Sequence, residues 1–326
     1  MNMNYRRTRL TPILRNLTKE VIISPEKLIQ PLFAAEGLSK KESIPGLTGV
    51  FRETETSLLQ QIESDLENGV NSFLLFGVPG HKSDKKFDYS YTSNQIAAIK
   101  KRFGSDVFLS VDVCLCSYTS HGHCGVLSDS MDHVINNQTV AALADCALSY
   151  AQAGADCVAP SDMMDGRIRA IREILDKNKL DQTLLMSYSA KFHSGFYGPF
   201  RVAADSAPKG EVKLKDRATY QIDPANPSDA YRSSVRDMEE GADILMVKPG
   251  LPYLDVIKDL TSKIPLPWAV YEVSGEFAAI EVMAQQNLIN RERGHLEIWT
   301  GFFRAGANMV ITYGARSARE WINKAN

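Results

Sequence analysis

The strongest constraint in this chain is a rhythm of short apolar runs separated by amphipathic stretches. Eight runs stand out, at residues 28–33, 72–76, 107–111, 156–159, 183–186, 243–247, 268–271 and 308–312. Most are continuously apolar rather than alternating, the pattern of parallel strands covered on both faces. Helical stripes fit between them. Leu58, Leu59, Ile62 and Leu66 recur at helical spacing, as do Val140, Leu143, Ala144, Ala147 and Ala151, and then Ile168, Ile171 and Leu175. Further helices are expected over 227–240 and 277–288. The phrases AGAD (153–156), EGAD (240–243) and AGAN (305–308) repeat one joint, a glycine that closes a helix and leads into a buried strand. Eight strands with such joints predict an α/β fold of the (β/α)8 TIM barrel type rather than a doubly wound sheet. No GxGxxG follows any run, so a dinucleotide-binding sheet lacks its fingerprint.

At 326 residues the chain can bury a large core. The expected organisation is an N-terminal arm, 1–25, and a single barrel, 26–326. The first 20 residues carry five basic side chains and one acid, Glu20. Pro12 and the lack of serine-rich composition argue against a transit peptide, so the segment reads as an arm that docks on another surface. The net charge of −2 provides no positive field for a polyanion, which argues against nucleic acid as the main partner. No apolar run approaches the ~18 residues of a membrane helix, so no membrane partner is expected. Five cysteines without a secretory apolar segment predict a reducing, cytoplasmic setting. Clustered thiols there bind metal or do chemistry.

In a barrel the chemistry lies just past the C-terminal ends of the strands. Asp112, Cys114 and Cys116 follow the third run, and Cys124 lies eight residues beyond Cys116. Three thiolates can converge on one soft cation, leaving a fourth position open as in a catalytic zinc site. His121 or His123 could instead close the site as a fourth ligand. Cys146 and Cys157 read as inert core residues. Ser161 follows the fourth run. Lys191 comes five residues after the fifth, and Lys248 ends the sixth. A lysine at the end of a buried strand loses hydration of its charged form, and a second lysine nearby lowers its pKa further. The neutral amine is the nucleophile that a Schiff base requires. The stretch from Phe192 to Tyr220 is rich in glycine, proline and aromatics and carries Arg201 and Arg217. It reads as a lid whose arginines suit carboxylates. Ser274 and Glu276 follow the seventh run and Tyr313 the eighth.

Together these residues closely resemble the porphobilinogen synthase (5-aminolevulinate dehydratase) family. The resemblance runs from the RRTR–PLF segment nearly to the C-terminus. It is carried by DVCLCSYTSHGHCG, APSDMMDGR, MSYSAKFHSGFYGPFR, MVKPG, YEVSGE and the Tyr313 turn, in that order. It implies a lyase of tetrapyrrole biosynthesis that condenses two molecules of 5-aminolevulinate into porphobilinogen with loss of two waters. It also implies a barrel with an arm, usually assembled as a homo-octamer. By the same resemblance Lys248 forms the Schiff base with one substrate and Lys191 binds or activates the other. Arg201 and Arg217 hold one carboxylate, Ser274 and Tyr313 the other. Asp112 and Ser161 line the Schiff-base site, and Cys114, Cys116 and Cys124 bind zinc. Many members also hold an allosteric magnesium through a glutamate where this chain has Ser233. A hydroxyl is a poor replacement, so that magnesium is expected to be absent or altered, with Asp237 and Glu240 available for a different site. Two competing readings are a class I aldolase-type enzyme using Lys248 on another carbonyl substrate and a non-catalytic, zinc-stabilised barrel.

Overall fold

The computed structural model describes residues 4–210 and 212–325. Residues 1–3 of the expected arm and residue 326 at the end of the expected barrel lie outside the described residues. The strands are β1 (Leu28–Ala35), β2 (Glu42–Ser43), β3 (Phe51–Glu53), β4 (Ser72–Val78), β5 (Phe108–Val113), β6 (Cys157–Pro160), β7 (Leu184–Lys191), β8 (Ile244–Lys248), β9 (Trp268–Tyr271) and β10 (Met309–Ile311). The helices are α1 (Pro12–Leu17), α2 (Glu55–Glu67), α3 (Ser90–Phe103), α4 (Asn136–Gln152), α5 (Arg167–Lys177), α6 (Gly198–Ala203), α7 (Pro227–Glu239), α8 (Leu254–Lys263), α9 (Ser274–Gln285), α10 (Arg291–Ala305) and α11 (Ala318–Ala325).

β1 and β4 to β10 are parallel neighbours, and β10 returns to β1 through Leu28 against Val310 and Ile29 against Ile311. The sheet therefore closes into the expected (β/α)8 barrel, and all eight expected strands take part. Their uninterrupted apolar character hides a period of two. In β9, Trp268 and Val270 pack outward with the helices, whereas Ala269 and Tyr271 pack inward. In β4, Phe73 and Leu75 face out and Leu74 and Phe76 face in. Both faces are dry, so both sets are apolar. The joint glycines take the left-handed conformation that a side chain resists: φ is +104° at Gly154, +101° at Gly241 and +116° at Gly306.

Three details differ from the sequence reading. Lys191 does not follow its strand but ends it. The β7–β8 ladder shifts between Ser187 and Ala190, which brings Lys191 level with Lys248. Likewise Asp112 lies inside β5 rather than after it. The helix expected from residue 277 starts at Ser274, because the Glu276 carboxylate accepts the Val273 N–H and caps the first turn. The antiparallel pair β2–β3 was not expected. The lid between β7 and α7 contains the short helix α6, whose first turn carries Pro199.

Candidate active site

The C-terminal ends of β5 to β8 and the lid close over a narrow chamber of about 10 Å³ lined by Asp112, Cys116, Ser161, Lys191, Tyr197, Phe200, Arg201, Arg217 and Lys248. Seven of these nine are residues singled out from sequence. Lys248 is buried at the end of β8, and its Nζ lies 4.0 Å from the ring centroid of Tyr271, 4.8 Å from Phe200 and 5.0 Å from Tyr188. Burial, and then the charge of Lys191, lower its pKa to about 7. The aromatic faces favour the ammonium by only about 0.5–2 kcal/mol each. Lys191 donates to the Ser161 backbone carbonyl. Burial pushes the Asp112 carboxyl up, against the pull of the two lysines, and its Oδ1 has no hydrogen-bond partner among the described residues.

The lid supplies two guanidinium groups. Arg217 donates to the backbone carbonyls of Gly122 and Ser206 at 2.9 and 2.6 Å. Neither its Nε nor that of Arg201 has a hydrogen-bond partner among the described residues. Burial, then the charge of Arg217, lowers the Arg201 pKa. Two buried or half-buried cations without a carboxylate partner form a receptor for an anion.

Beside them the sulfurs of Cys114, Cys116 and Cys124 lie within 4.8 Å of one another, all buried. Among the described residues this is the one group of three or more metal-ligating side chains so arranged. Hydrogen bonds from Cys114 and Cys116 hold the Cys124 thiol well below its ordinary pKa, while burial pushes Cys114 up. The loop reaches the lid at Gly122, where φ is +73° and an added Cβ would lie 2.4 Å from the Ala207 carbonyl oxygen. Among the described residues neither histidine joins the three sulfurs, although the buried His121 Nε2 has no hydrogen-bond partner. His123 bonds the Tyr220 hydroxyl and the Leu214 carbonyl, each at 3.1 Å, and the Nδ1 of His121 accepts the His123 N–H. The grouping of the three sulfurs without an imidazole favours the three-ligand reading.

Ser274 and Tyr313 lie behind this chamber rather than in its lining. The Ser274 hydroxyl accepts the Phe200 N–H at 3.0 Å and donates to the Phe196 carbonyl at 3.4 Å, anchoring the lid. The Tyr313 hydroxyl meets that of Tyr271 at 3.2 Å. Sequence reasoning missed the aromatic box of Tyr188, Tyr197, Phe200 and Tyr271. Its visible sign was Tyr188 three residues before Lys191, the aromatics of the FYGPF segment and Tyr271 at the end of the WAVY run.

The expected magnesium position carries no open carboxylate. The Ser233 hydroxyl accepts from Arg236 at 3.2 Å, and Arg236 also pairs with Asp165 and Asp237. Asp237 is buried against Arg167 at 3.0 Å, and Glu240 accepts the Arg169 N–H. Asp237 and Glu240, the residues named for a different site, thus both have partners here, the aspartate with guanidinium groups.

Known proteins share this architecture. A family model described as delta-aminolevulinic acid dehydratase matches residues 2–321. A protein of that name from Bacillus subtilis is 40% identical over 98% of this chain and 97% of its own length. One from Methanothermus sociabilis is 42% identical over 95% of each. A crystal structure of delta-aminolevulinic acid dehydratase (porphobilinogen synthase) from Toxoplasma gondii, in complex with the reaction product porphobilinogen, superposes with a TM-score of 0.94. It is 40% identical and covers 100% of this chain and 93% of that one.

Proposed function

This chain belongs to the delta-aminolevulinic acid dehydratase family, and from that premise we propose how its own residues join two molecules of 5-aminolevulinate into porphobilinogen, with loss of two waters, in tetrapyrrole biosynthesis. The observation that carries the reading is the Lys248 amine. It is buried in an aromatic box, level with Lys191, and has a pKa of about 7. At neutral pH a large fraction is uncharged and able to attack a ketone.

Lys248 Nζ adds to the carbonyl carbon of one substrate, and water leaves as the imine forms. The iminium then draws electron density from the neighbouring C–H bonds, which prepares that carbon framework for bond formation. Lys191 faces the second substrate. Its charge also helps keep Lys248 neutral. Arg201 and Arg217 clamp one carboxylate, which satisfies their open N–H groups. Ser274 and Tyr313 take the other carboxylate, and Ser274 in doing so exchanges its lid backbone partners for substrate. Asp112 and Ser161 shape the wall beside the two amines. Holding two identical molecules by different clamps distinguishes their roles and replaces a bimolecular encounter by a fixed geometry.

The thiol triad fits zinc: three soft donors, buried, at coordinating separation, with no histidine in place. Bound there, zinc would act as a Lewis acid toward the second substrate or hold its amine unprotonated. Magnesium does not fit the Ser233 position, where a hydroxyl and a guanidinium stand. Adding magnesium to zinc-restored enzyme is expected to leave the rate unchanged, and saturable activation would overturn that expectation.

The arm supports self-association. Leu10, Ile13, Leu17 and Ile22 are each more than 70% exposed, a density of apolar side chains that favours docking on a second copy, in an assembly as large as an octamer. Among the described residues no helix is long and apolar enough to cross a membrane. The five free, buried cysteines support a reducing, cytoplasmic compartment.

The test is porphobilinogen formation from 5-aminolevulinate before chelation, after it and after zinc is returned. Loss on chelation with recovery on zinc supports both the imine chemistry and the triad. Turnover that ignores chelation would remove zinc from the reading, and no turnover by folded, zinc-loaded protein would overturn it altogether.

A further inference from the structure

Glu276 is a buried carboxylate that the scheme above leaves unused. It lies in the first turn of α9, two residues past Ser274, and is 3% exposed. Among the described residues no lysine, arginine or histidine pairs with it. Its partners are backbone N–H groups from two separate turns. Oε2 accepts from Val273 at 2.6 Å, which starts α9. The same carboxylate reaches across to the turn after β8, where Oε2 accepts from Gly250 at 3.3 Å and Oε1 from Leu251. Pro249 has no N–H, so Gly250 and Leu251 are the first two donors after Lys248, and both end on Glu276. That turn has no slack, since a Cβ at Gly250 would lie 2.6 Å from the Phe302 ring. Burial raises the Glu276 pKa to about 8, and the three backbone donors oppose the rise. Glu276 does not line the chamber, and both its oxygens are committed to backbone N–H groups.

We propose that Glu276 is a positioning residue that fixes the span between the Lys248 amine and the Ser274 hydroxyl. One side chain bonds the backbone that carries each of them. A keto acid bound as an imine at its carbonyl and clamped at its carboxylate must match that span. Misplacement by about 1 Å can cost on the order of 100-fold in rate. The inference rests on the roles given above to Lys248 and Ser274. It specifies what makes the two act on one molecule.

The test compares two probes, 4-oxopentanoate and butanone, which share a methyl ketone and differ in the carboxylate. Each is trapped on Lys248 with borohydride, and the adduct is followed over time by mass spectrometry. The parent enzyme should trap the keto acid faster, and Ser274→Ala should shrink that advantage. Glu276→Gln places an amide N–H₂ against a backbone N–H and releases part of the turn. It should cut the advantage of 4-oxopentanoate by about tenfold or more, while the butanone rate stays within about twofold. A purely structural role would slow both probes alike and leave the ratio unchanged, which would overturn the proposal. Glu276→Asp serves if the glutamine variant does not fold. It keeps a carboxylate at the helix start but falls one methylene short of Gly250 and Leu251, so the same fall in ratio is expected and an unchanged ratio again overturns. A parent enzyme that traps neither probe on Lys248 would instead overturn the imine assignment, and this proposal with it.

Discussion

At the residue scale, the burial that makes Lys248 reactive also destabilises the fold. Its pKa of about 7 lies below the ordinary 10.5 because the chamber excludes water and holds a second lysine. For activity, the neutral amine grows in as pH rises through about 7. The logarithm of kcat/KM should therefore climb with pH below that value and level off above it, as read from initial rates on zinc-loaded enzyme. For stability the sign is set by the unfolded chain, which holds this proton more tightly. Above about 10.5 both states are neutral and there is no penalty. The penalty grows as pH falls and is complete below about 7. Its ceiling is on the order of 5 kcal/mol, since each tenfold loss of proton affinity costs about 1.4 kcal/mol. Lys248→Met should abolish turnover, retain zinc and melt at a higher temperature than the parent. That gap should widen as pH is lowered from about 9 to about 6. Thermal melts across that range check the sign, and a gap that narrows toward acid would show that the ammonium is better solvated than its burial implies.

Among the elements, what sequence could show depended on how many residues had to agree. The barrel strands were legible because each needs two dry faces, and several consecutive apolar residues declare that. The joints were legible because Gly154, Gly241 and Gly306 must adopt positive φ. By contrast, β2 and β3 span two and three residues and carry no pattern of their own. The extra residue in β7 between Ser187 and Ala190 was equally silent, yet it sets Lys191 level with Lys248. Of the candidate residues, the cysteines, lysines and lid arginines converge as their spacing suggested. Ser274 and Tyr313 stand behind the chamber because an aromatic wall, which the sequence reading overlooked, lies in front of them. The cysteine loop supports a prediction at this scale. Its three sulfurs come from one turn and one return of the chain, so no other element substitutes for a lost ligand. Cys124→Ala leaves two thiols and should weaken zinc binding. It also removes the thiolate that raises the Arg217 pKa against burial. Zinc content measured at limiting metal should drop relative to the parent, and equal content would refute the triad.

For the whole molecule, the barrel closes on itself, whereas the arm leaves its apolar side chains exposed. The eight-stranded core closes on itself, with apolar side chains filling both the barrel and the layer beneath its helices. The arm buries none of its α1 residues, although α1 is well begun, with Thr11 accepting the Leu14 N–H and Pro12 in the first turn. A six-residue helix is far below the length that is stable alone in water, which agrees with the self-association proposed above. Leu10, Ile13, Leu17 and Ile22 present apolar groups for that association, among the basic side chains of the arm. Each fully buried side chain of this type contributes about 1.5–3 kcal/mol, so covering the four would favour the proposed docking against the cost of association. Replacing Ile13 and Leu17 by glutamate should reduce the mass seen by light scattering while leaving the far-UV circular dichroism of the barrel unchanged. An assembly of unaltered mass would mean that the arm is not what joins the copies, and the search would move to the exposed Val282, Met283 and Leu288 around the end of α9. Because the chamber is built from β5 to β8 and the lid within one chain, the dissociated protein should still form the Lys248 adduct with 4-oxopentanoate under borohydride. Loss of that adduct on dissociation would show that a neighbouring copy orders the lid.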